Sequence, residues 1–278
     1  MIKKMLHTAS PLALIALLIA CNGNDTTPGP ASGSPATSTV KNISLSVINT
    51  YPHDTGSFTQ GLVIHKGQLY EGTGGSDYAP EGRPSELMKM NLQTGKAEQH
   101  VTLDKKYFGE GITILNDTVY QLTWKEKVVF VYTLPDMKKV GEFPINTEGW
   151  GITTDGKELI VSDGTSNLYF YDPSDFKLLR TQSVTLDGNF MDSLNELEYI
   201  DGFVYANRWN YPVIFKIDPA SGIIVGQVDV SAVWDRLKKR DPRNEENVPN
   251  GIAYDRDTKK IYITGKNWPE LYEVQFGN

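Results

Sequence analysis

Gln60-Gly61-Leu62-Val63-Ile64-His65-Lys66-Gly67-Gln68-Leu69-Tyr70 reads as a strand, a glycine-containing turn and a second strand. The same order (a polar residue, usually a small one, Leu or Ile, a strand, a turn, a strand) returns from Glu110-Gly111-Ile112, Trp150-Gly151-Ile152, Asn195-Glu196-Leu197 and Asn250-Gly251-Ile252. The intervals are 50, 40, 45 and 55 residues. Units of about 40–50 residues with four short strands each are blades of a β-propeller. Five repeats therefore predict an all-β, five-bladed β-propeller. The last unit ends at residues 271–276 without room for a fourth strand, and the strand-like residues 43–50 have no blade of their own. Pairing the two closes the ring and removes both sheet edges. One helix is predicted, at residues 231–239, before the fifth repeat.

Outside the repeats, the N-terminus reads as an address. Lys3 and Lys4 precede an apolar run at 12–20 that is too short to span a bilayer. The run ends Leu18-Ile19-Ala20-Cys21, which resembles the bacterial lipoprotein cleavage box, where the cysteine becomes the lipidated first residue. An ordinary signal peptide with an incidental cysteine is the alternative. Residues 22–39 are Gly, Ser, Thr, Pro, Asn and Asp with almost nothing apolar, the composition of a flexible tether. The expected organisation is a leader at 1–20, a tether at 21–40 and the propeller at 41–278. That places the protein at a bacterial cell envelope, on the periplasmic or cell-surface side, meeting the membrane only through the lipid on Cys21.

Composition narrows the chemistry. The 278 residues carry 27 Lys+Arg against 34 Asp+Glu, without basic clusters, which argues against a nucleic-acid partner. A single cysteine excludes an intramolecular disulfide, a cysteine zinc cluster and an iron–sulfur site. His7, His53, His65 and His100 are scattered, so no metal ligand set is expected. Loops at Asp155 and Asp163 leave room for a structural calcium, although solvated turns are the favoured reading of them.

Aligning the repeats exposes two columns. The first reads Gln60, Glu110, Trp150, Asn195, Asn250. The second, 14 residues later in four repeats and 16 later in the fifth, reads Gly74, Trp124, Gly164, Trp209, Lys266. Equivalent residues of a propeller are related by rotation about its channel, so each column forms a ring. Taken singly, such residues can merely satisfy turns or fill core volume. A ring that changes its polar chemistry from blade to blade is what a ligand site requires.

The chain also resembles a known family, the plant-type glutaminyl-peptide cyclotransferases and their bacterial relatives. The resemblance rests on Phe58-Thr59-Gln60-Gly61-Leu62, Phe108-Gly109-Glu110-Gly111-Ile112-Thr113, Gly149-Trp150-Gly151, Leu194-Asn195-Glu196-Leu197-Glu198, Asn207-Arg208-Trp209, Asn250-Gly251-Ile252-Ala253-Tyr254-Asp255 and Thr264-Gly265-Lys266-Asn267-Trp268. It implies a five-bladed propeller that cyclises the N-terminal glutaminyl residue of a peptide or protein to pyroglutamate and releases ammonia. It puts site residues at Gln60, Glu110, Trp150, Asn195, Trp209 and Lys266. The expected roles are catalysis by Glu110, as proton shuttle, and Lys266, with Gln60, Trp124, Trp150, Asn195, Trp209 and Asn250 binding substrate. No cofactor or catalytic metal is expected, and the enzyme is expected to act as a monomer. The loop at 75–84 departs from the family pattern by its length. The alternative is a periplasmic propeller that binds a ligand and catalyses nothing; Glu110 and Lys266 in one ring discriminate against it. A propeller lyase or lactonase would need His or carboxylate columns around a metal, and the repeats contain none.

Overall fold

The computed structural model describes residues 40–75, 82–240 and 247–277. The expected leader, the tether and Cys21 lie outside the described residues, as do positions 76–81 of the long loop.

Five sheets follow one another along the chain. Blade 1 is Phe58–His65, Gln68–Gly74, Glu86–Asn91 and Lys96–Thr102; blade 2 is Gly109–Leu115, Thr118–Thr123, Val128–Thr133 and Lys138–Pro144. Blade 3 is Ile152–Thr154, Leu159–Ser162, Asn167–Tyr171 and Leu178–Ser183; blade 4 is Leu194–Ile200, Phe203–Arg208, Val213–Ile217 and Ile224–Asp229. Blade 5 takes Pro249–Asp255, Lys260–Gly265 and Glu270–Phe276, and its fourth strand is the N-terminal Leu45–Pro52. The first strands of consecutive blades touch in a closed circle, so these are the innermost strands of a five-bladed β-propeller. Their sequences match that position. Gly109–Leu115 and Pro249–Asp255 are buried throughout, whereas the outer strands Lys96–Thr102 and Lys138–Pro144 are mostly exposed, and each begins with lysine. An apolar cluster fills each of the five blade-to-blade interfaces.

The expected ring closure is present, two residues further along than the sequence pattern indicated. Leu45–Pro52 runs antiparallel to Glu270–Phe276, from Leu45 opposite Phe276 to Pro52 opposite Glu270. A short strand that the repeats did not predict, Lys41–Ile43, lies parallel to the outer edge of blade 4. A small hairpin, Thr185–Leu186 with Asn189–Phe190, interrupts the connection between blades 3 and 4. The helix spans Ser231–Arg240 and buries Val233, Trp234 and Leu237 between blades 4 and 5.

Two features hold the channel together. Gly61, Gly111 and Gly151 let neighbouring inner strands meet backbone to backbone; a Cβ on Gly111 would stand 2.7 Å from the Trp150 carbonyl. In the fourth repeat this place is taken by Glu196, whose buried carboxyl accepts the Ile252 N–H (2.9 Å) and the Leu62 N–H (3.3 Å). Two residues on, Glu198 accepts the Tyr254 N–H (2.9 Å) and the Thr153 hydroxyl (3.2 Å), and burial pushes its carboxyl up to about 7. One inner strand thus grips blades 1, 3 and 5 through two side chains. At the seam beside the closing strand, His53 Nδ1 donates to the Trp268 carbonyl (2.7 Å). Its Nε2 faces Glu71 (3.1 Å), which also accepts the Thr59 hydroxyl (2.7 Å).

Candidate active site

The two columns lie at one end of the channel, on the hairpins formed by the first and second strands of each blade. In four of the five hairpins the inner strand carries one extra residue at the first column: between Thr59 and Gly61, Gly109 and Ile112, Leu194 and Leu197, and Pro249 and Ile252. A bulge of this kind breaks the ladder locally and re-aims a side chain. Gln60, Glu110 and Asn195 thereby leave the sheet pattern and line a cavity of about 590 Å³. The second column stands opposite, immediately past the second strands: the Trp124 N–H donates to the Phe108 carbonyl, that of Trp209 to Ser193 and that of Lys266 to Val248.

The cavity has a polar floor and an aromatic wall. Gln60, Glu110, Asn195 and Lys266 are each about 95% buried. Around them stand Trp124, Trp150 and Trp209, with Phe58, Phe108 and Asn210 completing the lining. Trp150 meets Trp209 edge to face (centroids 5.8 Å, 86°), Phe108 meets Trp124 (5.6 Å, 61°) and Phe58 meets Phe108 (6.2 Å, 78°). The two glycines of the second column are the slots that these rings need. A Cβ on Gly74 would run into the Phe108 ring, and one on Gly164 would stand 2.6 Å from Trp150. Trp209 is 42% exposed and forms the outer lip.

Electrostatics single out Glu110. Burial raises its carboxyl well above the ordinary value; Lys266 opposes this, while Glu148 and Glu126 add to it. The Glu110 side chain lines the cavity. The Lys266 ammonium lies 4.5 Å from the centre of the Phe58 ring, within the same lining.

Asn250 is the one column residue that the structure moves elsewhere. It is fully buried and does not line the cavity; its Nδ2 donates to the Thr59 carbonyl (2.9 Å) and to Gln60 Oε1 (3.2 Å). Its expected contact with substrate is therefore corrected to a supporting one. A carbonyl can only accept, so the Asn250 group beside Thr59 is its NH₂. That NH₂ occupies the Gln60 oxygen and leaves the Gln60 amide nitrogen for the cavity.

The columns alone did not reveal Phe58, Phe108 and Asn210. The signal existed for the phenylalanines, since each stands two residues before a first-column residue and side chains of a strand repeat with period two. Among the described residues no group of three or more His, Cys, Asp or Glu is placed to hold a metal ion. The two Asp-rich loops are ordinary turns: Asp155 accepts the N–H groups of Lys157 and Glu158, and Asp163 that of Thr165.

Comparison with known proteins agrees with this geometry. A family model described as glutamine cyclotransferase matches residues 15–276. A curated glutaminyl-peptide cyclotransferase from Arabidopsis thaliana is 38% identical over 249 residues, 89% of this chain and 76% of the relative. The crystal structure of Myxococcus xanthus glutaminyl cyclase superposes with a TM-score of 0.79 at 34% identity, covering 86% of this chain and 98% of that one.

Proposed function

Because this chain belongs to the glutamine cyclotransferase family, we infer that it is a glutaminyl-peptide cyclotransferase, closing the N-terminal glutaminyl residue of a peptide or protein to pyroglutamate with release of ammonia. The observation that carries the assignment of roles is a single carboxyl, Glu110, buried in a cavity walled by indoles that also holds a lysine and two amides, the burial raising its pKa.

The reaction asks little beyond positioning and one proton transfer. A terminal amine with a pKa of roughly 7.7–8.0 is partly neutral near pH 7 and can attack the side-chain amide carbon of its own residue. The new C–N bond leaves negative charge on the amide oxygen, which the Lys266 ammonium and the Gln60 amide N–H groups stabilise. Glu110 gives its proton to the departing nitrogen, the old C–N bond breaks, and ammonia leaves. The resulting carboxylate takes the surplus proton from the ring nitrogen, which returns Glu110 to its starting state. Asn195 holds the substrate amide, and the flat faces of Trp124, Trp150 and Trp209 exclude water around the glutaminyl side chain. Nucleophile and electrophile share one residue, so these side chains suffice without a cofactor, a covalent intermediate or a metal.

The test is ammonia release from a Gln-initiated dipeptide by the folded protein, with the product checked for the mass lost as ammonia. A folded protein that releases none refutes the reading. For location, the Leu18-Ile19-Ala20-Cys21 box supports a lipid anchor in a bacterial cell envelope, on the periplasmic or cell-surface side, and we propose that the enzyme acts as a monomer. Labelling with a fatty-acid analogue, lost in Cys21→Ala, tests the anchor, and light scattering of the released domain tests the monomer.

A further inference from the structure

Glu148 belongs to neither column. It lies in the connection from the outer strand of blade 2 to the inner strand of blade 3, directly before Gly149-Trp150. Its Oε2 accepts two indole N–H groups at once, from Trp124 at 2.8 Å and from Trp150 at 3.2 Å. These tryptophans come from different blades and both line the cavity. Bonds to an ionised acceptor are shorter and stronger than neutral ones, so this one oxygen fixes the tilt of both rings.

The contact chain extends further. Trp150 abuts Trp209, Trp124 abuts Phe108, and Phe108 abuts Phe58, over which the Lys266 ammonium lies. The loop that offers Glu148 is itself pinned. The Gly149 N–H donates to the Thr123 carbonyl (3.2 Å), and a Cβ at Gly149 would stand 2.6 Å from that oxygen and 2.8 Å from Leu122 Cβ. Only glycine lets the connection lie flat on the second strand of blade 2 and hold Glu148 between the indoles.

We propose that Glu148 is a positioning residue of the cyclisation, setting through one carboxylate oxygen the two indole walls that fold the glutaminyl side chain toward its own amine. This rests on the reading of the cavity as a glutamine-cyclising site. A flexible glutaminyl residue must be held with amine and amide carbon in contact, and a displacement of about 1 Å in such a clamp costs on the order of 100-fold. The same carboxylate has a second effect, for its charge lies near Glu110. The charged groups acting on Glu110 are Lys266, which favours ionisation, and Glu148 and Glu126, which oppose it.

The test compares Glu148→Ala, Glu148→Gln and the Trp124→Phe/Trp150→Phe pair with wild type. Readouts are kcat and KM for a Gln-dipeptide across pH, and the indole N–H resonances of the folded protein. Glu148→Ala is expected to lower kcat/KM about 10–100-fold and to move the Trp124 and Trp150 resonances while leaving those of Trp234 and Trp268 in place. Glu148→Gln, which keeps an acceptor and loses the charge, is expected to recover part of that activity and to shift the pH profile toward acid. In the double Phe background, which has no indole N–H to hold, Glu148→Gln should retain only the pH shift. Unmoved resonances with wild-type kcat/KM in Glu148→Ala overturn the proposal, as does an unshifted profile in Glu148→Gln. If Glu148→Ala does not fold, the Gln and Phe variants decide alone. A folded wild-type protein that releases no ammonia refutes the cyclase reading itself, and the resonances then still decide whether Glu148 sets the rings.

Discussion

Replacing Glu110 by Gln keeps the side chain's shape and its place in the cavity floor, and removes the one group that can give up and take back a proton. General acid–base catalysis contributes about 10²–10⁴-fold, so kcat should fall by about that factor while KM changes little. The same variant carries a second, independent signature. Burial, reinforced by Glu148 and Glu126 and opposed by Lys266, holds the folded carboxyl well above its ordinary value. The unfolded chain releases that proton at the ordinary carboxylate pH. Wild-type stability therefore falls as pH rises from there until the folded carboxyl itself ionises, by about 1.4 kcal/mol per pH unit. The Gln variant lacks this slope. Its melting temperature should draw ahead of wild type with rising pH by about 2–4 °C for each kcal/mol, the scale for a domain of this size. Ammonia release and thermal melts on the same samples, across about pH 4–9, measure both. Turnover within tenfold of wild type would remove Glu110 as the shuttle, and a melting difference that is flat with pH would mean that its carboxyl is not held protonated by burial.

Other expectations are equally concrete. Trp209→Ala, at a lip that is 42% exposed, should cost about 1 kcal/mol or less in stability and act mainly on kcat/KM, whereas Trp268→Ala, 1% exposed, should cost about 3–5 kcal/mol; equal melting losses would place Trp209 in the core. Burial disfavours charge on His53, yet Glu71 and the Trp268 carbonyl outweigh it and raise its pKa, so the stability of this seam is present below the ordinary histidine range and lost as pH rises through the raised value. His53→Ala should abolish that alkaline step in melting temperature and, by leaving Glu71 buried without its partner, cost about 3–5 kcal/mol; an unaltered step would assign it elsewhere. Turnover should survive EDTA, since every proposed role belongs to a side chain; loss of activity without loss of fold would refute the metal-free mechanism.

Blade number, blade boundaries and the closing strand were legible because each repeat writes Leu or Ile at the same place in its inner strand, a turn and a second, β-rich strand, with Lys66-Gly67, Asn116-Asp117 and Asp201-Gly202 as the turns of three repeats. Those pairs all adopt positive φ, as tight hairpin turns need. Lys41–Ile43 was not legible, because a parallel strand added to an outer edge leaves no pattern of its own. Seven column residues line one cavity while Asn250 stands behind it, since rotation about the channel equates positions and not side-chain directions. There the Thr59 carbonyl and the Gln60 oxygen capture the amide. Glu148 escaped for a different reason: it sits in a blade-to-blade connection, where no repeat register exists.

The closing strand has a consequence for the order in which this molecule can become itself. Asn49 and its partner Glu273 are separated by 224 positions in the chain. The strand at Leu45–Pro52 therefore waits for its partner at Glu270–Phe276, made more than 200 residues later, and contacts of such separation are slow to form. Lys266 lies in the fifth blade, so the ring of residues around the cavity is also incomplete until that blade has been synthesised. A circular permutant that carries Leu45–Pro52 after Phe276 would turn the most distant pairing into a local hairpin. It should refold faster than the natural order of the chain while presenting the same cavity, which separates the route to the ring from the ring's function.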